Sequence, residues 1–187
     1  MTKKEELLLG IAELFFQKGY DKTSIRDISS ALNISKPGLY FHFENKQQML
    51  YDLAYDFLDR SNRYLKEAMA PIKDPKEKLY LIIQSHIKFF VEHPAQIKVV
   101  IYEAHSLEGE CAKNFRTLEM EYIDIIRSVI KEILKEKENP MDHHIATFTL
   151  LGVLNWIIKW YKPGKKASPD ELIQQIYNFF LNGLGAS

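Results

Sequence analysis

Apolar residues recur along almost the whole chain at spacings of three and four, the period of one face of an α-helix. Near the N-terminus, Leu8, Ile11, Ala12 and Phe15 form one such stripe. No segment alternates apolar and polar residues over the length of a strand, so we predict no sheet. The pattern therefore predicts an all-α fold of about nine helices.

Capping residues divide this pattern into separate helices. Ser24, followed three residues later by Asp27, has the spacing of a capping box and predicts the start of a second helix. Ser35 with Pro37 predicts the start of a third. Asn33 lies between them, and asparagine tolerates the left-handed conformation of a tight turn.

The later helices are predicted to be longer. The fourth runs from about Asn45 to Ala70, and the fifth starts at Asp74-Pro75. After the break at His93-Pro94, a sixth segment extends to about Leu107 and a seventh from Glu110 to Glu138, where Asn139-Pro140 ends it. An eighth spans roughly Asp142 to Tyr161, and the last begins at Ser168-Pro169 and ends at Gly183 or Gly185.

The second and third helices, joined by a tight turn, have the layout of a helix-turn-helix, whose second helix enters the DNA major groove. Apolar residues of this segment are spaced to hold the pair together. We predict a DNA-binding domain over residues 1–46 and a second domain over 47–187. The remaining residues are small, hydrogen-bonding or cationic: Ser24, Arg26, Ser35, Lys36, Pro37, Gly38, Tyr40, His42 and Lys46.

Net charge does not by itself favour nucleic-acid binding, because 25 basic and 25 acidic residues cancel. The DNA prediction depends on the motif. Cys111 is the only cysteine, which excludes an intrachain disulfide and a cysteine-based metal cluster. The N-terminus lacks the apolar core of a signal peptide, and the uncharged run 145–158 is too short to span a bilayer. We therefore expect a cytoplasmic protein.

The N-terminal motif resembles the tetracycline-repressor (TetR) family. The resemblance is carried by Gly19-Tyr20, by residues 23–28, by residues 31–35 and by residues 36–46. Asn33 stands where the family usually has glycine. The resemblance implies a transcriptional repressor that binds operator DNA as a homodimer and responds to a small molecule, and it implies no enzymatic activity.

Roles for individual residues follow from the resemblance. It implies that Tyr40, Lys46 and Ser24 grip phosphate, which fixes the register of the protein on DNA. It also implies that Ser35, Lys36, Pro37, Gly38 and His42 lie on the surface that meets the major groove. Gly38 lets the helix approach closely, and Lys36 is the best candidate for a contact with guanine.

The last two helices are predicted to form the dimer interface. The eighth is apolar nearly all round, with Phe148, Gly152 and Trp156 on one side, so each of its sides needs a cover. The last helix offers a second wide apolar surface. A four-helix interface between two copies covers both, whereas a monomer would have to bury both helices internally.

Residues 154–164 and 168–172 resemble a TetR subgroup that regulates fatty-acid, steroid or aromatic-acid breakdown and responds to acyl-CoA thioesters. The resemblance implies an apolar effector such as a fatty acyl-CoA and no bound cofactor. An acyl-CoA needs an apolar tunnel, with cations for its phosphates among Arg116, Arg127, Lys162 and Lys165 or Lys166. The candidate pocket residues are Phe89, Phe90, Ile97, Tyr102, Phe115, Arg116, Tyr122, Ile126 and Trp156.

Two other functions remain open. A multidrug-type sensor of aromatic or cationic compounds would use acidic residues such as Glu103, Glu119 and Glu121. A helical enzyme or small-molecule-binding protein would use the cavity without DNA, although no catalytic motif is visible. We expect no metal site: His86 and His93 share a helical face, but no second pair stands at ligand spacing.

Overall fold

The computed structural model describes residues 2–135, 141–165 and 167–184. Over these residues it contains nine α-helices, one 3-10 turn at Ala104–Ser106 and no strand, which confirms the all-α prediction. The helices are α1 Lys3–Lys18, α2 Ile25–Ala31, α3 Lys36–His42, α4 Lys46–Met69, α5 Pro75–Glu92, α6 Pro94–Tyr102, α7 Gly109–Leu134, α8 His143–Trp160 and α9 Pro169–Gly183. None of the described helices is both long and apolar enough to cross a membrane.

Hydrogen bonds at the helix starts explain why the chain breaks where it does. Ser24 and Ser168 form the predicted capping boxes of α2 and α9, and Thr2 forms a further box with Glu5 at the start of α1. Each serves amides that have no partner within the helix. Asn33 has a φ of 49°, as the turn between α2 and α3 requires.

Three predicted boundaries need correction or fall outside the described residues. The sixth segment is not one helix to Leu107: α6 ends at Tyr102, and the chain continues as the 3-10 turn. The stop comes at Glu103, whose carboxylate accepts a hydrogen bond from the distant Tyr20 amide at 3.2 Å, a contact with no local sequence pattern. The predicted ends at Glu138 and Gly185 lie outside the described residues.

Packing divides the chain into two compact units. The head unit comprises Met1–Arg60 and His93–Glu119, and the body unit comprises Ser61–Glu92 and Met120–Ser187. The predicted functional boundary at residue 46 coincides with the start of α4, and the division into a DNA-binding and a sensor domain there stays a prediction.

Within the head unit, α1 packs most extensively on α6. The Lys98 ammonium donates to the Phe16 carbonyl at 3.2 Å and lies 4.1 Å from the centre of the Phe16 ring. With the Glu103 contact to Tyr20, this holds the C-terminal end of α1 against α6. On another side of α1, Gly10 approaches α2 so closely that a Cβ atom there would lie 2.3 Å from Leu32 Cδ2.

Within the body unit, α5 packs on α9 and α8. Its buried stripe includes Leu79, Ile82, Ile83 and Ile87, which alternate at three and four as the sequence predicts. The Tyr80 ring meets Tyr177 of α9 edge-on, with 5.2 Å between ring centres. α5 therefore contacts both of the last two helices of the body unit.

Candidate functional site

The α2–α3 pair forms a helix-turn-helix that is held from its inner side. Ile28 and Leu39 are fully buried, and the Ile34 amide donates to the Ser29 carbonyl at 3.0 Å across the turn. Ser35 caps α3 by accepting from the Gly38 amide at 3.1 Å. This buried anchor fixes which face of α3 points outward.

The outward face of α3 contains most of the predicted DNA contacts. Lys36, Pro37 and Tyr40 are exposed, and His42 is half-buried between the rings of its two neighbours. Phe41 was missed by the sequence reasoning, yet it is 84% exposed and is the most exposed large apolar residue described in the chain. Its position two residues after the buried Leu39 was the available indication, because that offset faces away from the core.

Gly38 has a local role in addition to the predicted close approach to DNA. A Cβ atom at this position would lie 3.0 Å from Ile34 Cγ1 and 3.1 Å from Ser35 Oγ. A side chain would therefore press on both the turn and the cap of α3. Glycine at this position therefore preserves the turn and the cap of α3, which keep Lys36 and Tyr40 on the surface.

Ser24 and Arg26 lie at the start of α2, and Ser24 is committed to its capping box. The Ser24 amide donates to Asp27 Oδ2 at 2.9 Å, and its hydroxyl donates to the same atom at 2.5 Å. These two bonds, with the Lys18 ammonium 3.1 Å from Oδ1, hold the pKa of Asp27 far below its usual range. Arg26 is exposed, so of these two predicted contacts it has the freer side chain.

Lys46 at the start of α4 is oriented by an aromatic ring. Its ammonium lies 4.0 Å from the centre of the Tyr20 ring, a cation–π arrangement. Burial lowers the pKa of Lys46, while the carboxylates of Asp21 and Glu103 oppose that shift. The ammonium is thus positioned beside the C-terminal end of α1, and its predicted contact with phosphate stays a prediction.

The predicted pocket residues divide between the two units. Those of the head unit are Ile97, Tyr102, Phe115 and Arg116, and those of the body unit are Phe89, Phe90, Tyr122, Ile126 and Trp156. All are at least half-buried except Arg116 and Trp156, which are exposed. The exposure of Trp156 places it on the outside of α8, so its side chain is not part of the interior of the body unit.

A part-buried polar pair joins α5 and α7 within the body unit. Nδ1 of His86 on α5 and the Tyr122 hydroxyl on α7 are hydrogen-bonded at 3.0 Å. Burial lowers the pKa of His86 to about 4 and raises that of Tyr122, so both groups are neutral at pH 7. His86 and His93, which the sequence places on one helical face, belong to different units, and the ring of His93 meets that of Phe57.

The acidic residues that a cation sensor would need are largely engaged. Glu121 is in contact with the Lys66 ammonium and accepts from Asn62 Nδ2 at 3.1 Å, and these bonds lower its pKa. Glu103 is bonded to the Tyr20 amide, and Glu119 is exposed.

The cations predicted to meet phosphate differ in their surroundings. Lys162 and Lys165 are exposed, and Lys166 lies outside the described residues. Arg127 is paired with Asp124, but its buried Nε has no hydrogen-bond partner among the described residues. The same holds for buried Nδ1 of His143 on α8. The body unit therefore contains two buried nitrogen atoms with unused hydrogen-bonding capacity.

The outer faces of α8 and α9 expose large apolar residues. On α8, Phe148 is 53% and Trp156 is 62% exposed, and Gly152 lies one turn from each. Phe179 on α9 is 76% exposed. Isolated exposed apolar residues are common, but several large ones on one helix, as on α8, are typical of an interaction surface.

Two family models together match most of the chain. Residues 4–53 match "Bacterial regulatory proteins, tetR family", and residues 73–184 match "Tetracyclin repressor-like, C-terminal domain". The chain belongs to the TetR family. It is therefore a ligand-responsive, DNA-binding repressor of the TetR type and not an enzyme, which confirms the prediction from the sequence.

Individual TetR regulators resemble the chain over nearly its whole length. The transcriptional repressor KstR2 of Rhodococcus jostii is 27% identical over 98% of the chain and 92% of the relative. The crystal structure of the TetR family regulator PfmR of Thermus thermophilus superposes with a TM-score of 0.85 at 27% identity, covering 95% of this chain and 98% of that one. The structure of AibR in complex with isovaleryl coenzyme A and operator DNA gives a TM-score of 0.85 at 24% identity, with 99% of both chains covered.

Proposed function

We propose that this TetR-type protein acts as a homodimer whose two α3 helices bind operator DNA, and that an acyl-CoA effector releases it. The main support for the proposal is the outward face of α3. Lys36, Tyr40 and Phe41 are exposed there, while the inner side of the helix is buried and holds it in place. We also infer that it works in the cytoplasm, where operator DNA is found.

The homodimer is supported by the outer faces of α8 and α9. A second copy related by a two-fold axis would place Phe148 and Trp156 against the same surface of its partner, which removes both from water. Burial of apolar surface contributes roughly 25 cal/mol per Å². Two α3 helices on one dimer would then reach successive major grooves, about 34–36 Å apart.

Phe41 extends the predicted DNA contacts. Its ring has no hydrogen-bonding group, and Lys36 and Tyr40 of the same helix are exposed with it. In a major groove, the matching apolar group is the thymine methyl. Phe41 therefore adds an apolar contact to a surface that otherwise offers hydrogen bonds.

The acyl-CoA effector is supported by the body unit and by named relatives. AibR binds isovaleryl coenzyme A, and a KstR2 structure is described as that of a ketosteroid regulator. In this chain the neutral His86–Tyr122 pair offers a polar anchor inside an apolar interior, suited to a thioester carbonyl. The open nitrogen atoms of Arg127 and His143 are suited to phosphate oxygens.

Release follows if the effector prefers a conformation in which the two α3 helices no longer fit successive grooves. An effector shifts such an equilibrium only by its difference in affinity for the two conformations, typically 1–3 kcal/mol. α4 extends unbroken from Lys46 to Met69 and includes residues of both units, so it is the element suited to carry the shift.

The DNA contacts are tested by selecting a binding site from a random duplex library and measuring affinity against salt. Tyr40→Phe and Lys46→Ala should each weaken binding, and Lys46→Ala should reduce the slope of log affinity against log salt by about 0.9. Lys88→Ala, an exposed lysine of the body unit, is the matched control. Unchanged affinity in both variants contradicts the phosphate roles.

The effector class is tested by thermal shift and operator release with long-chain acyl-CoA, with isovaleryl-CoA and with cationic dyes. An acyl-CoA should raise the melting temperature and weaken operator binding, and His86→Ala should reduce both effects. If only the dyes act, the multidrug alternative replaces the acyl-CoA proposal.

A further inference from the structure

A groove in the head unit is separate from the His86–Tyr122 interior. It has a volume of about 230 Å³ and lies between the N-terminal halves of α1 and α6 and the middle of α4. Its lining residues are Glu5, Leu8 and Leu9 of α1, Leu53, Asp56 and Arg60 of α4, and His93 and Gln96 at the start of α6. All eight belong to the head unit, so the groove is complete within it.

Gln96 is the residue of the groove that lacks a partner. It is only 8% exposed, and no residue in the described part of the chain hydrogen-bonds to its side-chain amide. Buried polar groups are nearly always hydrogen-bonded, and the unpaired amide of Gln96 faces the groove rather than the closed interior of the protein. An amide that lines a groove and is not used by the protein is available to a ligand as both donor and acceptor.

The start of α6 adds further hydrogen-bonding capacity. His93 is the N-cap residue of α6, but its side chain makes no capping hydrogen bond. Its ring is turned edge-on to Phe57, with 6.4 Å between the ring centres. The imidazole therefore lies on the same wall of the groove as Gln96.

The charges around the groove are already balanced or engaged. Arg60 Nη2 lies 2.9 Å from Asp56 Oδ2, and Glu5 accepts from the Thr2 amide at 2.7 Å in the capping box of α1. With one cation and two carboxylates, the lining disfavours an anionic ligand. Each of the two carboxylates already has a local partner, so the groove is also poorly suited to a cationic ligand. The apolar part of the lining consists of Leu8, Leu9 and Leu53.

We propose that this groove is a second small-molecule site, which takes a compact uncharged amphipathic molecule with one hydroxyl or amide group. The polar group binds the Gln96 amide and the His93 imidazole, and the hydrocarbon part packs on the three leucines. A cavity of about 150 Å³ holds benzene, so 230 Å³ suits a ring with one or two added atoms.

Occupancy would brace α1 against α6. The Lys98 and Glu103 contacts already hold the C-terminal ends of these two helices together. The groove lies at their N-terminal ends, where Leu9 remains exposed. A ligand there would complete the interface between α6 and the first helix of the DNA-binding region.

The test uses the full-length protein and four probes of one shape: 4-methylphenol, toluene, 4-methylbenzoate and 4-methylbenzylamine. Binding is followed by NMR through the side-chain amide of Gln96 and by titration. The proposal expects 4-methylphenol to shift that resonance and to saturate. It expects toluene to bind about fivefold more weakly, the loss of one net hydrogen bond, and it expects both ions to bind more weakly still.

Two variants complete the test. Gln96→Met keeps the size of the side chain and should reduce 4-methylphenol affinity about fivefold without changing that for toluene, whereas Gln84→Met in the body unit should change neither. Leu9→Phe fills the groove from an exposed position and should abolish binding. The proposal is overturned if 4-methylphenol leaves the Gln96 resonance unmoved, if Leu9→Phe binds normally, or if either ion binds as well as 4-methylphenol.

Discussion

The outward face of α3 and the outward faces of α8 and α9 expose aromatic residues to a similar degree, but their neighbours differ. Phe41 shares the short helix α3 with the exposed Lys36 and Tyr40, whereas Phe148 and Trp156 lie along α8 with Gly152 between them. An exposed ring by itself does not identify a partner. The side chains around it indicate DNA for α3 and a second copy of the chain for α8 and α9.

The largest effect is expected from a substitution on the outward face of α8. Phe148→Glu should convert the dimer to a monomer and lower operator affinity at least about a hundredfold, because two linked half-site contacts become independent. Sedimentation and operator titration measure the two effects. Met120→Glu, at an exposed position of α7, should leave both unchanged, and a variant Phe148→Glu that remains dimeric contradicts the proposed interface.

On α3 the matching change has a smaller expected effect. Phe41→Ala should lower operator affinity about tenfold, while Phe41→Tyr keeps the ring and most of the affinity. If the ring meets a thymine methyl, replacing that thymine by uracil should cost the unmodified protein about fourfold, the contribution of one buried methyl group. The same replacement should cost Phe41→Ala nothing. If the replacement lowers the affinity of both proteins equally, the Phe41 ring does not contact that methyl group.

In the head unit, Gly10 of α1 packs so closely on Leu32 that no side chain fits between them without a shift. Gly10→Ala should not gain the roughly 1 kcal/mol that alanine normally adds inside a helix, because the new methyl group must displace the tip of the Leu32 side chain. Denaturant titration measures the free energy of unfolding. Leu32→Ala makes room for the methyl group, so in that background Gly10→Ala should recover the gain. If Gly10→Ala has the same effect in both backgrounds, the methyl group does not meet Leu32.

The smallest expected effect is a pH dependence in the body unit. The folded-state pKa of His86, about 4, lies below the usual value of 6.5, so the unfolded chain binds more protons between these values. Stability therefore falls as the pH drops from 6.5 towards 4, by about 1 kcal/mol between pH 7.5 and 5.5. His86→Gln should remove this dependence, whereas the exposed His105→Gln should retain it. Chemical denaturation at the two pH values decides between them.

Much of the head unit could be predicted from sequence because its information is local. The caps Ser24 and Ser35, the turn at Asn33 and the buried Leu39 act within a few residues of one another. The predicted DNA contacts followed from the same segment. Phe41 was missed because an aromatic residue in a helix is more often core than surface, and only the burial of Leu39 beside it decides its direction.

Contacts between distant residues could not be predicted in this way. The hydrogen bond from the Tyr20 amide to Glu103, just after α6, joins residues 83 positions apart, and the neutral state of His86 depends on its burial beside Tyr122. Trp156 was expected in a pocket, but its side chain is exposed on α8. Each outcome depends on which faces of separate helices meet, a property that periodicity does not encode.

The sequence by itself determined the helices, their caps and the family, because hydrogen bonds and apolar spacing within one helix are local properties. Only the tertiary structure decided which aromatic residues stay exposed, which carboxylates are engaged and that Gln96 lines a groove without a partner. Those facts depend on the approach of distant segments, where burial changes the free energy of every polar group.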